Sequence, residues 1–308
     1  MTRRAACLLI SAVCLNAPAF AQGTTIRVNV RLVRMLATVK DANGRLIGSL
    51  NKSDFTVSDN GVPQDITVFE RQTEQPLSIS VLVDTSASTG IQMHYELESV
   101  RKFFHALLEE GNPRDAAALY SFNWQTTVES SFTRRYERLD ARLKTLRSEG
   151  GTSMYDAIFL ASRDLELRDG RHVLVIVTDG GDTTSVKDFH QALQSAQLAD
   201  AVIYPVLVMP ITNDAGRNIG GENALTTLSA GTGGRVFTPS VAAELDRAFA
   251  DILRELRTQY LIGYYPKDVP PTKDRFHLLK LTVKDRNLRV ITRTGYYGDS
   301  NEFRESGR

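Results

Sequence analysis

Residues 77–88 read Leu77-Ser78-Ile79-Ser80-Val81-Leu82-Val83-Asp84-Thr85-Ser86-Ala87-Ser88, a short apolar run that ends in one carboxylate and two hydroxyls at alternate positions. So short and so apolar a run predicts a buried strand over 77–83, with Asp84 where that strand ends. Working outward, segments 116–122, 172–178, 202–208 and 235–238 are further strand candidates, and 91–109, 154–167, 186–199 and 241–256 are helix candidates. Within the third helix Phe189, Leu193, Ala196 and Ala199 recur at helical spacing and are expected to pack on the sheet. Strands alternating with amphipathic helices predict an α/β fold, a mostly parallel sheet with helices on both faces.

Open α/β sheets bind ligands outside the carboxyl ends of their strands. Asp84 falls at such an edge, and Asp179 falls at another in Ile176-Val177-Thr178-Asp179-Gly180-Gly181-Asp182. A third segment, Gly150-Gly151-Thr152-Ser153-Met154-Tyr155-Asp156-Ala157, brings a hydroxyl to a helix start. Singly, each has an ordinary use: Asp84, Ser86 and Thr152 as helix caps, Asp179-Gly180 as a turn. Caps and turns do not explain the whole ordered pattern.

Asp84-x-Ser86-x-Ser88, then Thr152 after a glycine pair, then Thr178-Asp179-Gly180 resembles the metal-ion-dependent adhesion site of von Willebrand factor A-type domains. The resemblance covers 77–256 and extends to the flanks, where Asp54-Phe55-Thr56-Val57 and Gln259-Tyr260-Leu261-Ile262-Gly263-Tyr264-Tyr265 are similar to bacterial VWFA-related proteins. It implies that Ser86 and Ser88 bind a metal directly, that Asp84 and Asp179 bind it directly or through water, and that Thr152 joins according to conformational state. The implied ion is Mg²⁺ or Mn²⁺, and the implied partner is a protein offering an acidic side chain to an open coordination position. Hard oxygen donors with few carboxylates suit these ions, and neutral hydroxyls leave the ion electrophilic. The sequence departs from many relatives after Ser121-Phe122, where Asn123-Trp124 stands in place of an acidic residue. None of the five ligands is lost by this, and Trp124 is expected to pack a hairpin.

On either side the pattern changes to period two. Before Pro76, short alternating runs are broken by Asp41-Ala42-Asn43-Gly44 and Asp59-Asn60-Gly61, which is hairpin chemistry. After Arg257, alternation returns in 260–265, 278–283 and 288–292. Flanks of about 45 residues each bury too little surface to stand alone, so they are expected to pair into one β-sandwich. The expected organisation is a leader over 1–21, the first half of the sandwich over 22–75, the A-type domain over 76–256, the second half over 257–298 and a disordered tail over 299–308. This resembles the integrin arrangement, with helix 241–256 leading straight into the sandwich.

The first residues read as a secretory leader: Arg3 and Arg4, an apolar run from Ala5 to Leu15, then Ala19-Phe20-Ala21 as a cleavage site. A spanning helix needs roughly 20 apolar residues, and this run is shorter, so cleavage is expected, with an exported, periplasmic or extracellular product and no transmembrane segment. Cys7 and Cys14 would leave with the leader, and the mature chain would hold no disulfide. Removing Arg3 and Arg4 leaves 37 − 2 = 35 basic against 36 acidic residues, without the basic excess that nucleic-acid binding requires.

No Gly-x-Ser-x-Gly elbow is present, and His94, His105, His172, His190 and His277 lack zinc-ligand spacing. Gly231-Thr232-Gly233-Gly234 is read as a turn before a strand. A metal-dependent hydrolase is the second reading; Asp182 is its one nearby candidate base, more simply a solvated loop carboxylate. An envelope-complex scaffold with a silent metal site is the third. The leading expectation is metal-dependent protein binding or adhesion, without catalysis.

Overall fold

The computed structural model describes residues 32–71, 75–89, 93–208, 218–270 and 272–298. The leader with its two cysteines, the expected helix start at Ile91 and the tail 299–308 lie outside the described residues. Along the chain come β1 (Val33–Lys40), β2 (Phe55–Asp59), β3 (Val62–Gln64), β4 (Val68–Glu70), β5 (Leu77–Asp84) and α1 (Met93–Leu108). Next are β6 (Ala116–Phe122), β7 (Thr126–Thr133), α2 (Tyr136–Leu143), α3 (Met154–Leu165), β8 (Arg171–Thr178), α4 (Phe189–Leu198) and β9 (Val202–Leu207). The last elements are α5 (Ile219–Thr232), α6 (Ala242–Thr258), β10 (Tyr260–Tyr264), β11 (Phe276–Val283), β12 (Arg289–Ile291) and β13 (Gly295–Tyr297).

The central sheet has the order β7-β6-β5-β8-β9, parallel throughout except for β7. Every residue of β5 is buried, as a strand covered on both faces must be. Ile79, Val81 and Val83 pack with Phe103 and Phe104 of α1 and Phe249 and Ile252 of α6. Leu82 packs on the other side with Ile158 of α3, Ala192 and Ala196 of α4 and Leu225 of α5. The α/β class is as the sequence indicates. Because β5 lies mid-sheet, the loop after Asp84 has a neighbouring strand end on each side.

The flanks interleave in two further sheets, β12-β1-β10-β4 and β13-β11-β2-β3, each drawing strands from both ends of the chain. β1 pairs antiparallel with β10 and β12, and β2 with β11. Val33, Met35, Ala37 and Val39 of β1 meet Val57, Tyr260, Ile262 and Leu281 in one shared core. The β2–β3 hairpin turns through Asn60 and Gly61, both at positive φ, the geometry that makes Asn-Gly favourable there.

Four elements differ from the sequence reading, one being α2, a helix where none is expected. β7 is an edge strand made mainly of Thr and Ser with one buried residue, so it lacks an apolar signature. α5 contains glycines, and where the sequence predicts only a turn over 231–234 the helix runs to Thr232, with Gly233 as its left-handed C-cap. Segment 235–238 contributes one bridge, Phe237 to Val206, instead of a strand. α6 runs directly into β10 through a buried polar lock: Gln259 Nε2 donates to Thr38 Oγ1 (3.0 Å) and Tyr204 Oη (3.2 Å), while Arg171 donates to the Gln259 side chain and the Leu256 carbonyl.

Candidate metal centre

The strand ends at Asp84, whose side chain is buried. The Ser86 amide donates to Asp84 Oδ1 (2.8 Å) and the Thr178 hydroxyl to Asp84 Oδ2 (2.6 Å). Burial pushes the Asp84 carboxyl up to about 6; the Thr178 and Ser86 hydrogen bonds restrain that rise, and the Asp179 charge adds to it. Beyond it the chain folds back, with Thr89 Oγ1 donating to the carbonyls of Asp84 (3.2 Å) and Ser86 (2.9 Å). This turn brings the hydroxyls of Ser86 and Ser88 to 3.0 Å of each other.

The loop that carries Thr152 is stitched to the first. Ser148 Oγ donates to the Ser86 carbonyl (2.7 Å) and the Glu149 amide to the Thr85 carbonyl (2.8 Å). Gly151 has φ +82°, and a Cβ there would lie 2.8 Å from Trp124 Cα, so both conformation and space require glycine. The third loop, after β8, is stitched to the second. Thr183 Oγ1 accepts from the Thr152 amide (3.0 Å), and the amides of Thr183 and Thr184 donate to the Thr152 carbonyl (2.8 and 3.2 Å). Asp179 is half-buried, and no hydrogen bond engages its carboxylate among the described residues.

All five sequence-derived positions therefore lie on three mutually bonded loops at one edge of the sheet. The donors are carboxylate and hydroxyl oxygens, chemistry that fits a hard divalent ion. Among the described residues no group of three or more His, Cys, Asp or Glu side chains is placed to hold a metal, so a metal here depends on the hydroxyls.

Two neighbours differ from their sequence reading. Asp182 is no solvated carboxylate: its Oδ2 accepts from the Tyr155 amide at the start of α3 (3.0 Å) and from Ser185 Oγ (2.5 Å). Trp124 stands on the β6–β7 hairpin with 56% of its surface exposed and donates to Glu149 Oε2 (3.0 Å), which puts it on the rim of the site.

The sequence reading passed over Glu96. It lies in the first turn of α1, 1% exposed, and neither carboxylate oxygen has a hydrogen-bond partner among the described residues. Burial pushes its carboxyl up to about 8, and the charges of Asp84 and Asp179 push in the same direction. The signal was there: Met93, Glu96, Val100 and Phe103 follow helical spacing, which sets an acid on an apolar stripe.

Residues 79–181 match the family model of the von Willebrand factor type A domain. No curated protein matches the sequence. Among solved structures, the pilus adhesin SpaC from Lactobacillus rhamnosus GG in its open conformation is similar at 10% identity and a TM-score of 0.50, over 81% of this chain and 48% of that one. Proximal thread matrix protein 1 from the mussel byssus is similar at 14% identity and a TM-score of 0.50, over 64% and 49%. The von Willebrand factor domain of the type V pili tip protein Mfa5 from Porphyromonas gingivalis shows 15% identity and a TM-score of 0.48, over 59% and 95%. This chain spans about half the length of the first two, and the likeness is one of fold. With the sequence match over 79–181 and the β5-centred sheet that contains it, the chain is one that carries a von Willebrand factor type A domain.

Proposed function

We propose that this chain is an exported protein-binding or adhesion module in which Asp84, Ser86, Ser88, Thr152 and Asp179 hold Mg²⁺ or Mn²⁺, and a protein partner contributes an acidic side chain. The A-type domain is assigned to 76–256, between sandwich halves 22–75 and 257–298. Export, to the periplasm or beyond the cell, rests on the leader read at 1–21; no described helix is long and apolar enough to cross a membrane.

The observation that carries the reading is the stitching of three strand-end loops, which sets the Ser86 hydroxyl, itself paired with that of Ser88, beside the Asp84 carboxylate and fixes the backbone on both sides of Thr152. When bound, the ion supplies an electrophilic centre with a position left for a carboxylate oxygen. Ser86 and Ser88 contribute no charge to it, and Asp84 is restrained by Thr178 in one orientation. Trp124, exposed on the rim, offers an aromatic anchor to the partner. Hydrolysis would require a general base beside the ion, and Asp182 is committed to Tyr155 and Ser185.

The test is calorimetric titration of Mg²⁺ and Mn²⁺ into metal-free protein, alongside folded Asp84→Ala and Asp179→Ala variants. Binding by the parent alone is expected. Absence of binding by the parent overturns the metal-dependent reading and puts the scaffold reading in its place.

A further inference from the structure

α1 turns Met93, Glu96, Ser99, Val100 and Phe103 toward the protein interior. Glu96 is the acid among them. An isolated carboxylate inside a protein is costly unless it is paired and hydrogen-bonded, yet neither oxygen of Glu96 has a donor among the described residues. Its neighbour on the same face, Ser99, gives its hydroxyl to Asp246 of α6 (2.6 Å). The charges that act on Glu96 are those of Asp84 and Asp179, both of its own sign. Among the described residues no ion pair engages Asp84, Glu96 or Asp179. Glu96 thus lies in the field of Asp84 and Asp179, and among the described residues no cationic side chain pairs with any of the three.

We infer that Glu96 belongs to the cation site, as an acid whose charge the bound divalent ion compensates from outside the ligand shell. This rests on the metal-binding reading above. Direct ligation is not assigned to it, because among the described residues no three acidic side chains converge closely enough to share an ion. Glu96 is a positioning residue: it adds field at the ion and is retained in the interior because the ion makes its burial tolerable. Groups beyond the ligands commonly govern metal affinity by 10- to 100-fold.

The experiment is calorimetric titration of Mn²⁺ into the full chain, its Glu96→Gln and Glu96→Asp variants and Asp84→Ala, with thermal unfolding of each in chelator and in saturating Mn²⁺. Glu96→Gln preserves shape while removing charge. It is expected to weaken Mn²⁺ at least about tenfold and to shrink the ion-induced rise in Tm, with ion-free stability equal to or above that of the parent. Glu96→Asp, which keeps the charge, should bind more tightly than Glu96→Gln. A merely structural role would move Tm equally with and without the ion and leave Kd alone. If the parent binds, Asp84→Ala does not, and Glu96→Gln binds within twofold of the parent, this inference is overturned while the metal site stands. If the parent fails to bind, both are overturned.

Discussion

Thr178 of β8 gives its hydroxyl hydrogen to Asp84 of the adjacent strand β5 across 2.6 Å, with both side chains buried. This bond holds the carboxylate that the site is built around. Thr178→Val keeps the shape and removes the donor, leaving a buried acceptor underserved at a cost of about 1–3 kcal/mol. Because Asp84 is pushed up to about 6, the loss should be larger at pH 8, where it is charged, than at pH 5. Urea unfolding in chelator at those two values checks this.

Glu96 makes a second prediction about pH. Burial raises its carboxyl in the folded state to about 8, above its ordinary value of 4.5, so the folded protein holds a proton that the unfolded chain has released. Its contribution to stability is fully present below 4.5 and is lost as pH rises through 8, at a slope of up to about 1.4 kcal/mol per pH unit. In chelator the parent should lose stability across this window more steeply than Glu96→Gln. Equal slopes in denaturant titrations at pH 5, 6.5 and 8 would refute the assignment.

Gly151 carries the backbone into Thr152 at φ +82°, and its missing side chain leaves room for Trp124. Gly151→Ala introduces both backbone strain and a collision, and should cost more than about 1 kcal/mol. Since Thr152 follows directly, the variant should also bind Mn²⁺ more weakly than the parent. Intrinsic fluorescence of Trp124, the single tryptophan, gives an independent readout of the displaced hairpin.

At the other end of α6, Glu255 is 3% exposed and takes both Lys40 of β1 and Arg235 (2.6 Å for the latter). Glu255→Ala strands two cations, although each reaches solvent, so about 2 kcal/mol is expected instead of the larger penalty for a fully buried pair. Stability measured in urea should fall by that amount. Mn²⁺ affinity should remain within twofold, because Glu255 lies at the end of α6 away from the strand ends that carry Asp84 and Asp179.

The sequence made the sheet legible where burial is complete. β5, β6 and β8 are apolar runs with polar residues only at special positions, and their limits came within one residue. β7 and α5 escaped because their signals are weak: one is a Thr- and Ser-rich edge and the other is held mainly by Leu225 and Leu228 against β9 and its neighbours. The five candidate ligands were legible because their spacing is local to three loops. Glu96 was not, since one acid on a helix gains meaning only from what surrounds it.

By itself the sequence determined the α/β alternation, the pairing of two undersized β flanks and the chemical identity of the candidate oxygen donors, all properties of short segments and their composition. Tertiary structure alone decided that β5 is central, that Ser148, Glu149 and Thr183 stitch the three donor loops together, that Asp182 is committed to α3, and that Glu96 is buried near Asp84 and Asp179. The physical reason is that burial and electrostatic fields are set by neighbours distant in the chain, and a carboxylate that is ordinary in water holds its proton well above the usual carboxylate range once it is desolvated in the field of two others.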